Sequence, residues 1–333
     1  MGRGTGDDPS GAAADDPAER PRRRGARPSS TILVVGEALI DIVQRPGTAP
    51  VEHVGGSPAN VAIGLSRLGH RVELATHVGA DDRGRRITTV LAAEGIALIP
   101  GSASATRTPT ARAAIDEDGG ATYEFDLEWE LPDLPSDPWH LHTGSIAAVL
   151  EPGGSEVLAA VEAARPRTTI SYDPNPRPTL MGSAHDVRSR VEQLVGLSDV
   201  VKASEEDLDW LYDGAAVAEV LRLWSRLGPG LIVVTRGAAG AVVTLPGTSE
   251  ATSVDGRAVD VVDTVGAGDS FMSGLLSGLL DAGLLGGTSA RERLRASNLP
   301  DVRPAVQRAI ATSAITVSRP GADPPARADL PGH

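Results

Sequence analysis

Short apolar runs that end in glycine alternate with helical stripes from Thr31 onward, and this alternation leaves room for little but a layered α/β structure. Thr31–Gly36 (TILVVG) reads as a buried first strand of a parallel sheet. At Ser57-Pro58 a helix begins, with serine as cap and proline at the first helical position; Val61, Leu65 and Leu68 form its apolar stripe, and Gly69 closes it. The pattern continues with a strand over 72–78, a helix over 82–94, a strand over 168–172, a helix over 187–195 and a strand over 199–202. The runs LIVVT, AVVTL and VDVVD follow between Leu231 and Asp263, then a helix after Gly268 and a last helix over 302–318. Two stretches break the alternation. Strand-like runs over 110–115 and 122–125 flank the Asp/Gly-rich turn at 116–120, and a strand pair falls within 41–54. The expected fold is therefore a doubly wound, mainly parallel α/β sheet flanked by helices, with a small β-sheet lid from about 41–54 and 107–128. Residues 1–30 read as a disordered tail without the apolar stretch of a secretory signal, 31–325 as one domain, and 326–333 as a C-terminal tail.

Composition narrows the chemistry. A net charge of −13 over 333 residues repels phosphodiester backbones and anionic membranes, so neither nucleic acid nor a membrane is an expected partner. The longest strongly apolar run, Phe271–Leu280, is too short to span a bilayer. Cysteine is absent, which excludes disulfide scaffolds, thiolate metal sites and cysteine nucleophiles and suits the cytoplasm. Lys202 is the only lysine, and no P-loop surrounds it, so phosphate chemistry must rely on arginine, metal or backbone amides. His140 and His142 share a strand face, yet no third ligand at recognisable spacing joins them, and they read as packing residues.

The most specific string is Asp263-Thr264-Val265-Gly266-Ala267-Gly268-Asp269-Ser270. Two glycines around an alanine at a strand-to-helix junction turn several amides toward one point, where the helix dipole is positive, and Asp269 lies in the same first turn. An anion hole with an adjacent base suits phosphoryl transfer to a hydroxyl. A second string, Gly55-Gly56-Ser57-Pro58-Ala59-Asn60, allows close approach of backbone to a small ligand, with Asn60 offering both donor and acceptor.

Together these strings resemble the two signatures of the ribokinase-like (pfkB) carbohydrate kinases, in order and spacing. The resemblance implies that Asp269 is the catalytic base, that Gly266, Ala267 and Gly268 supply the anion hole, and that Gly55, Gly56, Asn60 and Asp41 hold a sugar; a solvated loop aspartate is the plainer reading of Asp41. It further implies ATP as phosphoryl donor, magnesium, and a monovalent cation such as potassium. The nucleotide side would comprise Thr235, Gly237 and Gly240 in a Thr-x-Gly-x-x-Gly loop, which a hairpin turn also explains, together with Thr264, Lys202 and Ser204. Asp207 would order water around magnesium, although serine and aspartate stand where the family has asparagine and glutamate, and a capped acidic helix accounts for the same residues. Asp263 would help hold the monovalent cation. Lid-to-lid homodimers occur among similar proteins.

Asp173-Pro174-Asn175-Pro176-Arg177 resembles the subgroup of bacterial fructokinases and 2-keto-3-deoxygluconate kinases. It makes Asn175 and Arg177 candidate sugar or phosphate contacts, or else a rigid proline turn. A fructokinase-like activity is the expectation. The keto-acid kinase would need extra positive charge, for which Arg107, Arg112 and Arg177 are candidates, and a nucleoside kinase would want more aromatic walls. A sugar-sensing protein that keeps the pocket without turnover is the alternative from another class.

Overall fold

The computed structural model describes residues 1–2, 30–116, 121–248 and 251–331. The expected tail over 1–30 and the turn of the 110–125 hairpin thus lie largely outside the described residues. The chain enters through β1 (Ile32–Val35), turns back on itself as β2 (Leu39–Gln44) and β3 (Val51–Gly55), and returns by α1 (Ser57–Arg67) to β4 (Val72–Ala75). After α2 (Asp82–Ala93) and β5 (Ala97–Leu98) it leaves again as β6 (Thr110–Ile115) and β7 (Ala121–Asp126). Alternation then resumes with β8 (His140–Gly144), α3 (Gly153–Ala164), β9 (Thr169–Asp173), α4 (Pro178–Met181), α5 (Ala184–Leu197), β10 (Val200–Ser204), α6 (Glu205–Leu211), α7 (Val217–Leu227) and β11 (Leu231–Thr235). The chain ends through β12 (Ala241–Thr244), β13 (Thr252–Val254), α8 (Ala267–Asp281), α9 (Thr288–Ala296) and α10 (Leu299–Val317).

Among the described residues these strands form a nine-stranded sheet in the order β13-β12-β11-β10-β9-β8-β1-β4-β5 and a four-stranded sheet in the order β3-β2-β6-β7. The large sheet is parallel except where β12 and β13 run antiparallel at one edge. This is the mainly parallel body with a separate small sheet that the alternation predicts. Both faces of the body are buried, and the pleat divides each strand between them. Ile32 and Val34 of β1 and Leu231 and Val233 of β11 join the core under α1, α8 and α10, while Leu33, Val35, Ile232 and Val234 join the core on the opposite face.

α8 is the central helix. Every residue from Asp269 to Leu280 is buried, and two glycines let its neighbour come close: a Cβ on Gly278 would lie 2.5 Å from Ala305 Cα, and one on Gly274 2.8 Å from Ala309 Cα. A helix sealed on all sides holds its first turn in one place, which matters because the candidate chemistry sits there.

Several sequence expectations differ from the structure. VDVVD is not a strand: Val261 and Val262 are exposed, the amides of Val262 and Asp263 both bond to the Val317 carbonyl, and the edge strand is instead Thr252–Val254. α8 starts at Ala267 rather than after Gly268, since the left-handed Gly266 already serves as its N-cap. Residues 326–331 do not form a free tail. Arg327 donates to the Leu68 carbonyl at 2.6 Å and pairs with Asp281, and Leu330 packs with Leu68, Ala311 and Ile315.

Candidate active site

Asn175 and Arg177 follow β9, Ser204 ends β10 and Thr235 ends β11, at the carboxyl ends of parallel strands where open α/β sheets bind ligands. Gly266 caps α8 with φ 74°, a conformation that glycine adopts without strain, and a Cβ there would lie 2.6 Å from the Ala322 methyl. The Ala267 amide closes a turn on the Thr264 carbonyl at 3.2 Å. The Ala267 amide is thus engaged, while among the described residues no protein acceptor meets the amides of Gly266, Gly268 and Asp269. These are the donors left for an anion at the positive end of the helix.

Lys202 completes the charge there. Its Nζ bonds Asp173 Oδ2 at 2.9 Å with both side chains buried, and a Cβ on Gly268 would sit 3.0 Å from that ammonium. Burial works against the charged lysine, but the Asp173, Asp207 and Asp269 carboxylates outweigh it and raise its pKa. Burial likewise pushes Asp173 up to about 6, against the pull of Lys202. The second oxygen of Asp173, Oδ1, is buried without a hydrogen-bond partner. A cradle kept open by a missing side chain, lined by amides and a lysine, fits a phosphoryl group.

Asp269 faces α1. Ser57 Oγ donates to its Oδ1 at 2.6 Å and Asn60 Nδ2 to its Oδ2 at 2.8 Å. The sequence suggests Ser57 as a helix cap, but the N-cap is Gly56 with no side-chain bond, and the Ser57 hydroxyl is spent on Asp269 instead. Asn60, expected at a sugar, orients the same carboxylate. The glycine pair has its own reasons. A Cβ on Gly55 would collide with the Asp41 carboxylate, and Gly56, at φ 106°, passes so near β1's end that a Cβ would lie 2.5 Å from the Glu37 carbonyl oxygen. Gly55 thus leaves room for the Asp41 carboxylate, and Gly56 for the backbone that leaves β1. Burial pushes the Asp41 carboxyl up to about 6, Arg177 and His53 hold it down, and Asp269 pushes it further up. Asp41, Asp269 and Arg177 therefore share one electrostatic field.

Asn175 and Arg177 leave β9 in a loop where Asn175 has φ 36°, and Arg177 Nη1 bonds Asn175 Oδ1 at 2.8 Å and the Pro176 carbonyl at 3.0 Å. On the other side of Lys202, Thr235 ends β11 with its hydroxyl 3.4 Å from the Ala203 carbonyl, and Gly237–Ala239 form one 3-10 turn. Gly237 has φ 51° and open space around it, whereas Gly240, at φ 90°, packs against the Val254 carbonyl. Ser204 and Asp207 form a reciprocal capping box, Ser204 N to Asp207 Oδ2 at 2.7 Å and Asp207 N to Ser204 Oγ at 3.0 Å. Asp263 accepts the Val265 amide at 3.0 Å and the Gly321 amide at 2.8 Å, which lower its pKa and bind the α8 approach to the chain after α10. Thr264 is exposed beside it.

His140 and His142 are buried packing residues: His140 bonds Thr169 and Ser171, His142 bonds Ser171, and burial pushes both down to about 3. No group of three metal-ligating side chains occurs among the described residues, and no helix is long and apolar enough to cross a membrane. Sequence reasoning misses that Asp173 pairs with Lys202 and that Ser57 bonds Asp269. An aspartate ending a fully buried strand beside the chain's only lysine is a signal that could have found the first.

A helix-borne amide cradle, a buried lysine beneath it and a tethered carboxylate opposite a second acid define a small-molecule phosphotransferase. The chain belongs to the pfkB family of carbohydrate kinases, whose model matches residues 29–329, and it is thus a kinase whose acceptor is a sugar hydroxyl. It is 36% identical over 265 residues to a fructokinase of Klebsiella pneumoniae, covering 76% of this chain and 85% of that protein. Among solved structures it resembles fructokinase with bound ATP from Xylella fastidiosa (TM-score 0.75, 26% identity, 91% of this chain and 95% of that one). It also resembles a fructokinase double mutant from Vibrio cholerae O395 in a form with fructose, ADP and potassium bound (TM-score 0.69, 28% identity, 88% and 94%).

Proposed function

We propose that this chain transfers the γ-phosphoryl group of ATP to a primary hydroxyl of fructose. The observation that carries the reading is Asp269, fixed by Ser57 and Asn60 at the mouth of the amide cradle. Asp41, Gly55, Gly56, Asn175 and Arg177 hold the sugar, and Asp269 accepts the hydroxyl proton. The amides of Gly266, Gly268 and Asp269, with Lys202 below, stabilise the charge of the moving phosphoryl group. Thr235, Gly237, Gly240, Thr264 and Ser204 line the nucleotide side. Magnesium, when bound, neutralises phosphate charge; with no protein cage for it among the described residues, it would arrive on the nucleotide with Asp207 reached through water. Potassium is the proposed monovalent ion, near the loop that Asp263 braces. Closure of the small sheet over the sugar would exclude water. The exposed Val51 on edge strand β3 suits a homodimer joined through that sheet, and a monomer in sedimentation equilibrium would refute this part.

Of the three extra cations that the keto-acid alternative could use, Arg107 is already paired with Asp126 at 2.7 Å. ADP release over a panel of sugars tests the proposal. Fructose is expected to give the highest kcat/KM, with activity lost in EDTA and restored by magnesium. A preference for 2-keto-3-deoxygluconate or a nucleoside would refute the fructose assignment.

A further inference from the structure

We propose that Glu37 is a positioning residue for sugar recognition, anchoring a chain of hydrogen bonds through Ser145 and Asn175 that fixes the Arg177 guanidinium beside Asp41. Glu37 lies just past β1 and is only 6% exposed. Its carboxylate accepts the Ala147 amide at 3.2 Å and a bond from the Ser145 side chain. Ser145 Oγ in turn accepts Asn175 Nδ2 at 3.4 Å, and Asn175 Oδ1 accepts Arg177 Nη1 at 2.8 Å. The direction is consistent along the whole chain: a guanidinium donates to an amide oxygen, the amide nitrogen to a hydroxyl, and the hydroxyl to a carboxylate, which ends the series because it accepts only.

The backbone supports the same conclusion. Among the described residues three non-glycine positions have positive φ, and two of them, Ser145 at 58° and Asn175 at 36°, are adjacent links of this chain. Such conformations cost energy and persist where the surroundings over-determine them. Among the described residues every hydrogen bond of the Arg177 guanidinium passes through Nη1, so Nη2 and Nε remain for a ligand. The Arg177 charge also lowers the pKa of both Asp41 and Glu37. Burial pushes Glu37 up to about 7, so an assay at pH 8 keeps it ionised.

This inference rests on the sugar-kinase reading of Asp41 and Arg177. The test is steady-state kinetics at pH 8 on Glu37→Gln, Arg177→Ala and the double variant. Each single change is expected to raise the fructose KM about tenfold, the size expected for one charge-assisted bond, with kcat and the ATP KM within about twofold. The double variant should be no worse than the poorer single one, because both break one chain. Ser145→Ala, which cuts the chain midway without changing charge, should reproduce the effect if Glu37→Gln folds poorly. Multiplying effects in the double variant, or an unchanged fructose KM in Glu37→Gln and Ser145→Ala, would overturn the proposal while leaving the kinase reading intact. A wild-type protein that phosphorylates no sugar would overturn both.

Discussion

Asp269→Asn should lower kcat by about 10²- to 10⁴-fold, the usual cost of losing a general base, while fructose binding measured by calorimetry stays within about threefold. Asparagine keeps the shape and one acceptor oxygen, so the Ser57 and Asn60 donors at 2.6 and 2.8 Å lose at most one partner. The helix around the site should hold, because residues 269–280 are packed on every side independently of that charge. Turnover near the wild-type rate would mean that another group takes the proton. Loss of the thermal transition would mean that the carboxylate serves the fold.

Lys202→Met should be costly in two separable ways. Breaking a buried pair by removing one partner costs about 3–5 kcal/mol, because the remaining charge is left uncompensated. Here that charge is Asp173, whose Oδ1 is already without a partner. Burial has already raised Asp173 to about 6, and without the lysine it rises further. The folded variant then keeps a proton that the unfolded chain releases, so its stability falls as pH rises above the ordinary aspartate range and recovers in acid. Lys202→Met combined with Asp173→Asn removes the stranded charge and should recover most of the stability. It should not recover ATP use: with no ammonium under Gly268, kcat/KM for ATP is expected to stay down by about 10²-fold, as for loss of one preorganised donor. Denaturant titration at pH 5 and 8, alongside ATP kinetics, reads both. Recovery of activity with stability in the double variant would show that Lys202 is only a structural partner.

Much of this architecture is legible in the sequence because a parallel strand buried on both faces must be apolar throughout. ILVV at β1 and LIVV at β11 therefore stand out in isolation. β8 does not, since HLHTG satisfies its buried imidazoles through Thr169 and Ser171 on the neighbouring strand, a pairing across 29 or more residues that no local pattern reveals. VDVVD misleads in the opposite sense. Its composition is that of a strand, but the sheet edge is already taken by β13 and its valines are left exposed.

The candidate site divides along the same line. The Gly-Ala-Gly-Asp turn announces an anion hole because only a few residues can hold amides that way, and Asp269 follows from its place in the first turn. What Asn60 and Ser57 do with Asp269 is invisible in the sequence, since the partners are separated by more than 200 residues. The glycines of the 55–56 pair are readable as glycines but not by their reason, which is the nearness of the Asp41 carboxylate and the Glu37 carbonyl. Glu37 is hidden for a related cause. A glutamate after an apolar strand looks like a loop residue until the strained Ser145 is seen beside it.

The most direct measurement is phosphorus NMR of the purified protein with ATP, magnesium, potassium and fructose. The account predicts equal growth of ADP and of one phosphomonoester signal split by two methylene protons, as expected for a phosphorylated primary alcohol, with no free phosphate. Inorganic phosphate in place of the ester, or no change in the ATP signals, would contradict it.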